Sequence, residues 1–205
     1  NVPHYASEAN TQPGMPKYRD LNGDGVIDSN DRTVIGNGLP KHTGGFTNNF
    51  NYRDFDLSIF FQWSYGNDVL NANRLMFESS WNRTRELNQY ASYAERWTES
   101  NPTSNIPRAT SSSSNRVFSS RIIEDGSFLR LKTVTLGYTV PRKMISRVGI
   151  EQLRVYFAAQ NLFTISNYSG YDPEVSIRES ALTPGLDFSA YPRARSFSFG
   201  ITLGF

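Results

Sequence analysis

In its 205 residues the chain carries no cysteine, 38% hydrophobic residues, 14% aromatics and a formal net charge of +2. The lack of cysteine excludes disulfides and thiolate metal sites, and a near-neutral charge with no long basic run argues against nucleic acid as a partner. No stretch of about 18 apolar residues is present, which excludes a transmembrane helix but not a β-barrel, whose strands turn only alternate residues to lipid.

In chain order, residues 1–41 precede the first predicted strand and are read as an external loop region. Its sharpest motif is Asp20-Leu21-Asn22-Gly23-Asp24-Gly25-Val26-Ile27-Asp28-Ser29-Asn30-Asp31. Acidic or amide oxygens fall at loop positions 1, 3, 5, 9 and 12, glycine falls at position 6, and apolar Ile27 falls at position 8. That is the pattern of an EF-hand loop with Asp in place of the usual terminal Glu. A hard cation needs about six to eight oxygens at short range, and alternate residues of a tight loop supply them. Asp20, Asn22, Asp24, Asp28 and Asp31 form the expected side-chain shell, completed by the Val26 carbonyl, for a structural Ca2+. An Asx-rich turn without metal uses the same residue types.

The barrel-like portion is expected over residues 42–205, with strands at about 43–52, 54–65, 126–140, 151–163 and 195–205. Phe46, Phe50 and Tyr52 alternate with Thr47, Asn49 and Asn51. Phe55, Leu57, Ile59, Phe61, Trp63 and Tyr65 alternate with Asp54, Asp56, Ser58, Gln62 and Ser64, with Phe60 as the exception. In the third strand Val134, Leu136, Tyr138 and Val140 share a face while Leu129 and Leu131 fall on the other, which predicts a bulge near Lys132 or a change of environment there. In the fourth, Leu153, Val155, Phe157, Ala159 and Phe163 oppose Gln152, Arg154, Tyr156 and Gln160. The last strand alternates most strictly: Phe197, Phe199, Ile201, Leu203 and Phe205 against Ser196, Ser198, Gly200, Thr202 and Gly204. About ten residues is the length of a membrane-spanning barrel strand.

The connections alternate in length. Arg53-Asp54 and residues 141–150 are short; residues 66–126 and 164–194 are long. Outer-membrane barrels pair short periplasmic turns with long external loops, so the C-terminus is expected in the periplasm. Helical spacing of Leu70, Arg74, Leu75 and Phe77, then Leu87, Tyr90, Ala94 and Trp97, predicts one or two short helices in the first long loop. Residues 102–115, with serines at Ser111–Ser114, read as an irregular loop, either mobile or acting as a lid or docking surface. About eight strands are needed to close a barrel and lipid tolerates no open edge, so further strands are expected N-terminal to Asn1.

No catalytic constellation stands out, and no enzyme activity is expected. His4 and His42 are far apart, and no carboxylate partner is expected for either. Glu124-Asp125 and Asp172 with Glu174 are read as solvated loop carboxylates.

Several segments together resemble the late strands of SusC/RagA-type TonB-dependent transporters of Bacteroidota. These are Gly126-Ser127-Phe128-Leu129-Arg130-Leu131-Lys132 with Thr135-Leu136-Gly137-Tyr138, then Gln160-Asn161-Leu162-Phe163-Thr164. Tyr168-Ser169-Gly170-Tyr171-Asp172-Pro173-Glu174, Tyr191-Pro192 and the run from Phe197 to a terminal Phe205 follow in order. The Asp-rich loop at Asp20–Asp31 followed by Gly36–Pro40 also resembles the family. The resemblance implies an all-β fold, an antiparallel transmembrane β-barrel of 22 strands with an N-terminal plug, of which this chain supplies the last five. It implies active import of a large nutrient, a glycan or oligopeptide, across the bacterial outer membrane. The implied partners are a SusD-like surface lipoprotein acting as a lid, the TonB complex through a part not contained in this chain, outer-membrane lipid, and the barrel-assembly machinery. The last of these would read the signal Phe197, Phe199, Ile201, Leu203 and Phe205. Trp81, Tyr90 and Tyr171 are candidate stacking groups for cargo. The competing expectations are a passive porin or adhesin barrel and a soluble calcium-binding β-sandwich module.

Overall fold

The computed structural model describes residues 4–5, 12–79, 88–110, 118–177 and 183–205. They divide into two units, one of residues 1–37, 69–124 and 176–189, the other of residues 38–68, 125–175 and 190–205. The described strands are β1 (His4–Tyr5), β2 (Val26–Ile27), β3 (His42–Tyr52), β4 (Phe55–Tyr65), β5 (Asp68–Asn71), β6 (Ile123–Asp125), β7 (Phe128–Thr139), β8 (Gln152–Ser166), β9 (Leu186–Asp187) and β10 (Ser196–Gly204). The described helices are α1 (Ala72–Phe77) and α2 (Arg142–Ile145), with short 3-10 turns at Ser29–Asp31, Ala91–Glu95, Ser120–Ile122 and Ser146–Val148.

The second unit is one antiparallel sheet in the order β10-β8-β7-β4-β3. Its strands run 9 to 15 residues, longer than the usual five or six. The turn between β3 and β4 has two residues, Arg53 and Asp54, with Arg53 at φ 53°. A positive φ at the first turn position matches the right-handed twist of the flanking strands, and here the Arg53 guanidinium lies 5.3 Å above the Tyr52 ring. The β7–β8 connection starts at Pro141, which caps α2, and ends at Gly149 in the left-handed region.

Register converts alternation into rows. One row runs Tyr52, Phe55, Tyr138, Val155, Ile201; the next on that face runs Phe50, Leu57, Leu136, Phe157, Phe199. This face is apolar and open: Phe50 is 56% exposed, Phe197 57%, Phe199 82% and Ile201 68%. Asn48, level with Ile59 and Val134, is its polar exception. The other face carries Asn49, Asn51, Ser58, Gln62, Thr133, Thr135, Ser196 and Ser198.

The phase break in β7 is a bulge at Lys132: Phe60 pairs with Thr133, and Phe61 pairs with Leu131. One extra residue flips everything beyond it, so Leu131 and Leu129 join the apolar face beside Phe61 and Trp63, and Arg130 joins the polar face beside Gln62. Phe60, the exception on the polar face, lies across Gly45 of β3, where a side chain would strike its ring.

A second row on the polar face alternates large and absent side chains: Asp56, Gly137, Tyr156, Gly200. Arg154 reaches across Gly137 to Asp56, with Nε 3.1 Å from Oδ1 and Nη2 2.5 Å from Oδ2. Its guanidinium sits 5.4 Å over the Tyr156 ring, and that ring covers Gly200.

The first unit has its own small core of Val69, Leu75, Tyr93 and Ile122. Around it lie the sheet β6-β5-β9 and α1, whose first turn is capped by Asn71 accepting from the Arg74 N–H. Buried Glu78 accepts from Arg74 Nε at 3.1 Å, Arg121 Nη2 at 2.5 Å and the Ser92 hydroxyl at 2.9 Å. Helical spacing predicts a helix through Leu70, but Leu70 belongs to β5; Ala94 lies in a 3-10 turn, Ala91–Glu95, and Leu87 lies outside the described residues. Propensity is overruled here because Leu70 N–H finds its partner in the Gly185 carbonyl, at 2.7 Å.

Gly137→Val sets a branched side chain against the Asp56–Arg154 pair and is expected to cost about 1–3 kcal/mol. The change is read as a lower denaturant midpoint of the folded protein. Gly204→Ala, which meets only Gln152 at ordinary contact distance, is the control and should shift it by less than about 0.5 kcal/mol.

Candidate functional site

The polar face of the sheet carries the densest chemistry of its unit. Arg130 is 2% exposed; its Nη2 donates to Asp172 Oδ1 at 2.5 Å and its Nη1 lies 3.2 Å from Glu174 Oε2. The Arg193 backbone N–H donates to Asp172 Oδ2 at 3.1 Å, and its guanidinium holds Glu174 at 2.8 and 3.1 Å. The Glu174 backbone N–H donates to Asp172 Oδ1 at 2.9 Å, and Gln62 reaches Glu174 Oε1 at 3.4 Å. With Lys132 Nζ 3.7 Å from Glu174, three cations (Arg130, Lys132 and Arg193) and two carboxylates thus neutralise most of their charge among themselves. Burial raises the Asp172 carboxyl, but the Arg130 hydrogen bond and the Glu174 and Arg193 backbone N–H groups outweigh it and hold the group below the usual carboxylate range. The expectation that Asp172 and Glu174 are solvated loop carboxylates is therefore corrected: Asp172 is 4% exposed. Glu124 is likewise engaged, accepting from Asn71 at 3.0 Å and Arg74 at 3.3 Å. No local pattern announces these contacts, since Arg130 and Asp172 are 42 residues apart and Asp56 and Arg154 are 98 apart. The one available signal for Arg130 was the phase break beside it.

In the first unit the Asp-rich loop closes on itself. Asp20 accepts the Gly23 N–H at 2.6 Å and the Gly25 N–H at 2.9 Å on its two oxygens. Asn22, Asp24 and Asp28 each accept from the backbone N–H two residues on, at 3.0, 2.8 and 2.7 Å. Asp31 accepts from the Leu21 and Asp28 N–H groups, at 2.7 and 2.8 Å. The Asp28 and then the Leu21 backbone bonds lower the Asp31 carboxyl, against a small desolvation effect. Val26 lies in β2. The sharp turns fall at Gly23, φ 77°, and Gly25, φ 85°. All six predicted ligand residues thus share one loop. Among the described residues, however, no group of three or more His, Cys, Asp or Glu gathers closely enough to hold an ion.

The other candidates separate. Trp81 lies outside the described residues, Tyr90 packs on Phe77 with ring centroids 5.4 Å apart, and Tyr171 is 83% exposed. The ring that does line an open cleft of about 1420 Å³ in the first unit is Trp97, with Tyr18, Phe118, Lys17, Arg19 and Arg32. Of the residues expected to carry an assembly signal, Phe197, Phe199, Ile201 and Leu203 project from β10 on the apolar face, and Phe205 follows it, 84% exposed. His42 accepts from Trp63 Nε1 at 3.1 Å and stacks on Tyr65.

No protein-family model matches the chain. It is 34% identical over 200 residues to one TonB-dependent receptor of Formosa agariphila, covering 95% of the chain and 19% of that protein. To a second from the same organism it is 36% identical over 197 residues, covering 94% and 20%. It is 30% identical over 200 residues to the TonB-dependent receptor SusC of Bacteroides thetaiotaomicron, covering 97% and 18%. The chain therefore spans about a fifth of the length of these relatives. Among solved structures it is similar to the RagAB peptide transporter, with a TM-score of 0.73 and 27% identity over 87% of this chain and 19% of that one. Against the RagAB peptide importer in its closed-closed state the TM-score is 0.74 with 26% identity over 93% and 20%.

The lowered Asp172 carboxyl has a definite pH signature. A group depressed in the folded state contributes stability above its unfolded pKa, near 3.9, and loses it as pH falls through the lower folded value. Urea midpoints followed downward from neutral pH should fall steeply in the most acid range. Asp172→Asn should cost about 3 kcal/mol at neutral pH and make that acid limb shallower.

Proposed function

This chain belongs to the SusC-like TonB-dependent receptors, of which it spans about a fifth, and from that premise we propose that it forms part of the wall of an outer-membrane importer of a large nutrient, a glycan or an oligopeptide. The observation that carries the proposal is the five-stranded sheet with one exposed apolar face and one polar face. Ten residues separate the His42–Tyr65 end of the outer face from the Tyr52–Phe55 end. At about 3.3 Å per residue and a strand tilt of about 40°, they span roughly 25 Å, the height of the apolar band of an outer-membrane barrel. Aromatics mark both ends: Trp63 and Tyr65 at one, Tyr52, Phe55 and Tyr138 at the other.

In this reading β3 and β10 continue into the remaining strands of a 22-stranded barrel, because an open edge is not tolerated in lipid. The long connections are extracellular, the C-terminus is periplasmic, and β10 with Phe205 carries the signal for barrel assembly. A SusD-like lipoprotein covers the outer mouth, and energy arrives from TonB through a plug outside this chain. The relatives are named as receptors and transporters, and the carboxylates of the sheet unit's polar face are tied to cations, so the reading is transport and not catalysis.

We also propose that the Asp20–Asp31 loop takes a structural Ca2+. The donor set is entirely oxygen and the turns are tight. Binding would require Asp20, Asn22, Asp24, Asp28 and Asp31 all to turn from their backbone partners and converge with the Val26 carbonyl, stiffening the loop.

Two measurements test these readings. In detergent extracts of outer membranes, peptides of this chain should map to one polypeptide of about 120 kDa, the size expected if 23.2 kDa is 19% of the whole. A native species near 23.2 kDa would sink the importer, since five strands cannot close. For the loop, calcium at a hundredfold excess over its Kd should stabilise the intact receptor by about 2.7 kcal/mol, seen as a raised melting temperature. Asp20→Ala should abolish the response, and an unchanged wild-type melting temperature would remove calcium from the account.

A further inference from the structure

The irregularities of the sheet fall at one level, and they point the same way. Lys132 is the extra residue of β7, and across from it in β8 Asn161 has φ 52°, an uncommon conformation for a residue other than glycine. Lys132 Nζ lies 3.7 Å from Glu174, and Asn161 Nδ2 donates to the Ala194 carbonyl at 2.9 Å. Asp172 and Glu174 stand on the outgoing leg of the β8–β10 connection, Arg193 and Ala194 on the returning leg. Arg130, 2% exposed between them, joins the sheet to the first leg, and Arg193 joins the second leg to the first. Without the extra residue Arg130 would project from the apolar face, and its contacts with Asp172 and Glu174 would not form. Bulges recur where a strand must re-aim a side chain beside a functional site.

We propose that Arg130 is a positioning residue that fastens both legs of the β8–β10 connection to the inner wall of the barrel, so that the base of this loop is a fixed lining of the transport path and not a flap that swings clear of it. The proposal rests on the barrel reading above. A flap needs compliant legs, and these are the places where buried ionic contacts concentrate. Swinging the legs away would leave Arg130 and Asp172 without partners, and a buried charge stripped of its partner is strongly destabilising.

Hydrogen–deuterium exchange read by mass spectrometry on the full-length receptor in detergent tests this. Arg130→Gln should speed exchange of the Glu174 and Arg193 amides by about a hundredfold while the amides of β4 and β8 stay protected. Asp172→Asn, which breaks the same contact from the other side, should do the same. Arg154→Gln, which breaks the Asp56 pair elsewhere on that face, should leave both leg amides unchanged. If Arg130→Gln does not accumulate, Arg130→Lys keeps the charge without the two-pronged reach and should give a smaller acceleration at the same amides. Leg amides that exchange at the wild-type rate in the Arg130 variant would overturn the proposal. Freely exchanging β4 and β8 amides in the wild type would overturn the barrel reading, and the proposal with it.

Discussion

Successive side chains on a strand point to opposite faces, so a single inserted residue reverses the environment of every residue beyond it. Most of this structure follows from how that constraint is met. Four antiparallel pairings hold five strands in one register, and the register stacks rings into rows: Phe46 on Phe61, Phe55 on Tyr138, Phe157 on Phe199. Such cross-strand aromatic pairs contribute about 0.5–1.5 kcal/mol each beyond the area they cover. On the opposite face the same register sets Asp56 and Tyr156 beside Gly137 and Gly200, so that large groups lie down over vacant positions.

The two faces solve the problem of charge differently. The apolar face carries no ionised side chain in its central rows, Asn48 being its most polar member. The polar face keeps its charges in two closed groups, Asp56 with Arg154 and Arg130 with the Asp172–Glu174–Arg193 cluster. Taking ions out of water is costly, and attraction repays that only when geometry and extra hydrogen bonds are good. Asp172 meets the condition with a guanidinium and two backbone N–H groups on its two oxygens. Between the groups the face is hydroxyl and amide, apart from Phe60 and Ala158.

Strand positions were legible because alternation is local. Phe197 to Phe205 and Phe55 to Tyr65 declare their phase within a few residues, and the observed β10 and β4 start and stop within a residue or so of the expected spans. The break at Lys132 was legible for the same reason. What the break accomplishes was not, because Arg130 finds Asp172 only once β8 and its loop have folded back. Helical spacing misled at Leu70, where a parallel partner in β9 decides the conformation. The oxygen pattern of Asp20–Asp31 located a loop and its glycine turns, but spacing alone does not tell whether a carboxylate faces an ion or a backbone N–H, and here each one faces N–H groups.

The bulge has a consequence for how this strand can change over generations. Deleting Lys132 would restore simple alternation, yet it would turn Arg130 outward among Trp63 and Phe61 and leave Asp172 buried and alone. Substituting Arg130 first would orphan Asp172; substituting Asp172 first would orphan Arg130. Each single step back leaves one buried charge without its partner. The extra residue and the ion cluster are therefore each other's condition, since neither can be removed alone without leaving a buried charge unpaired.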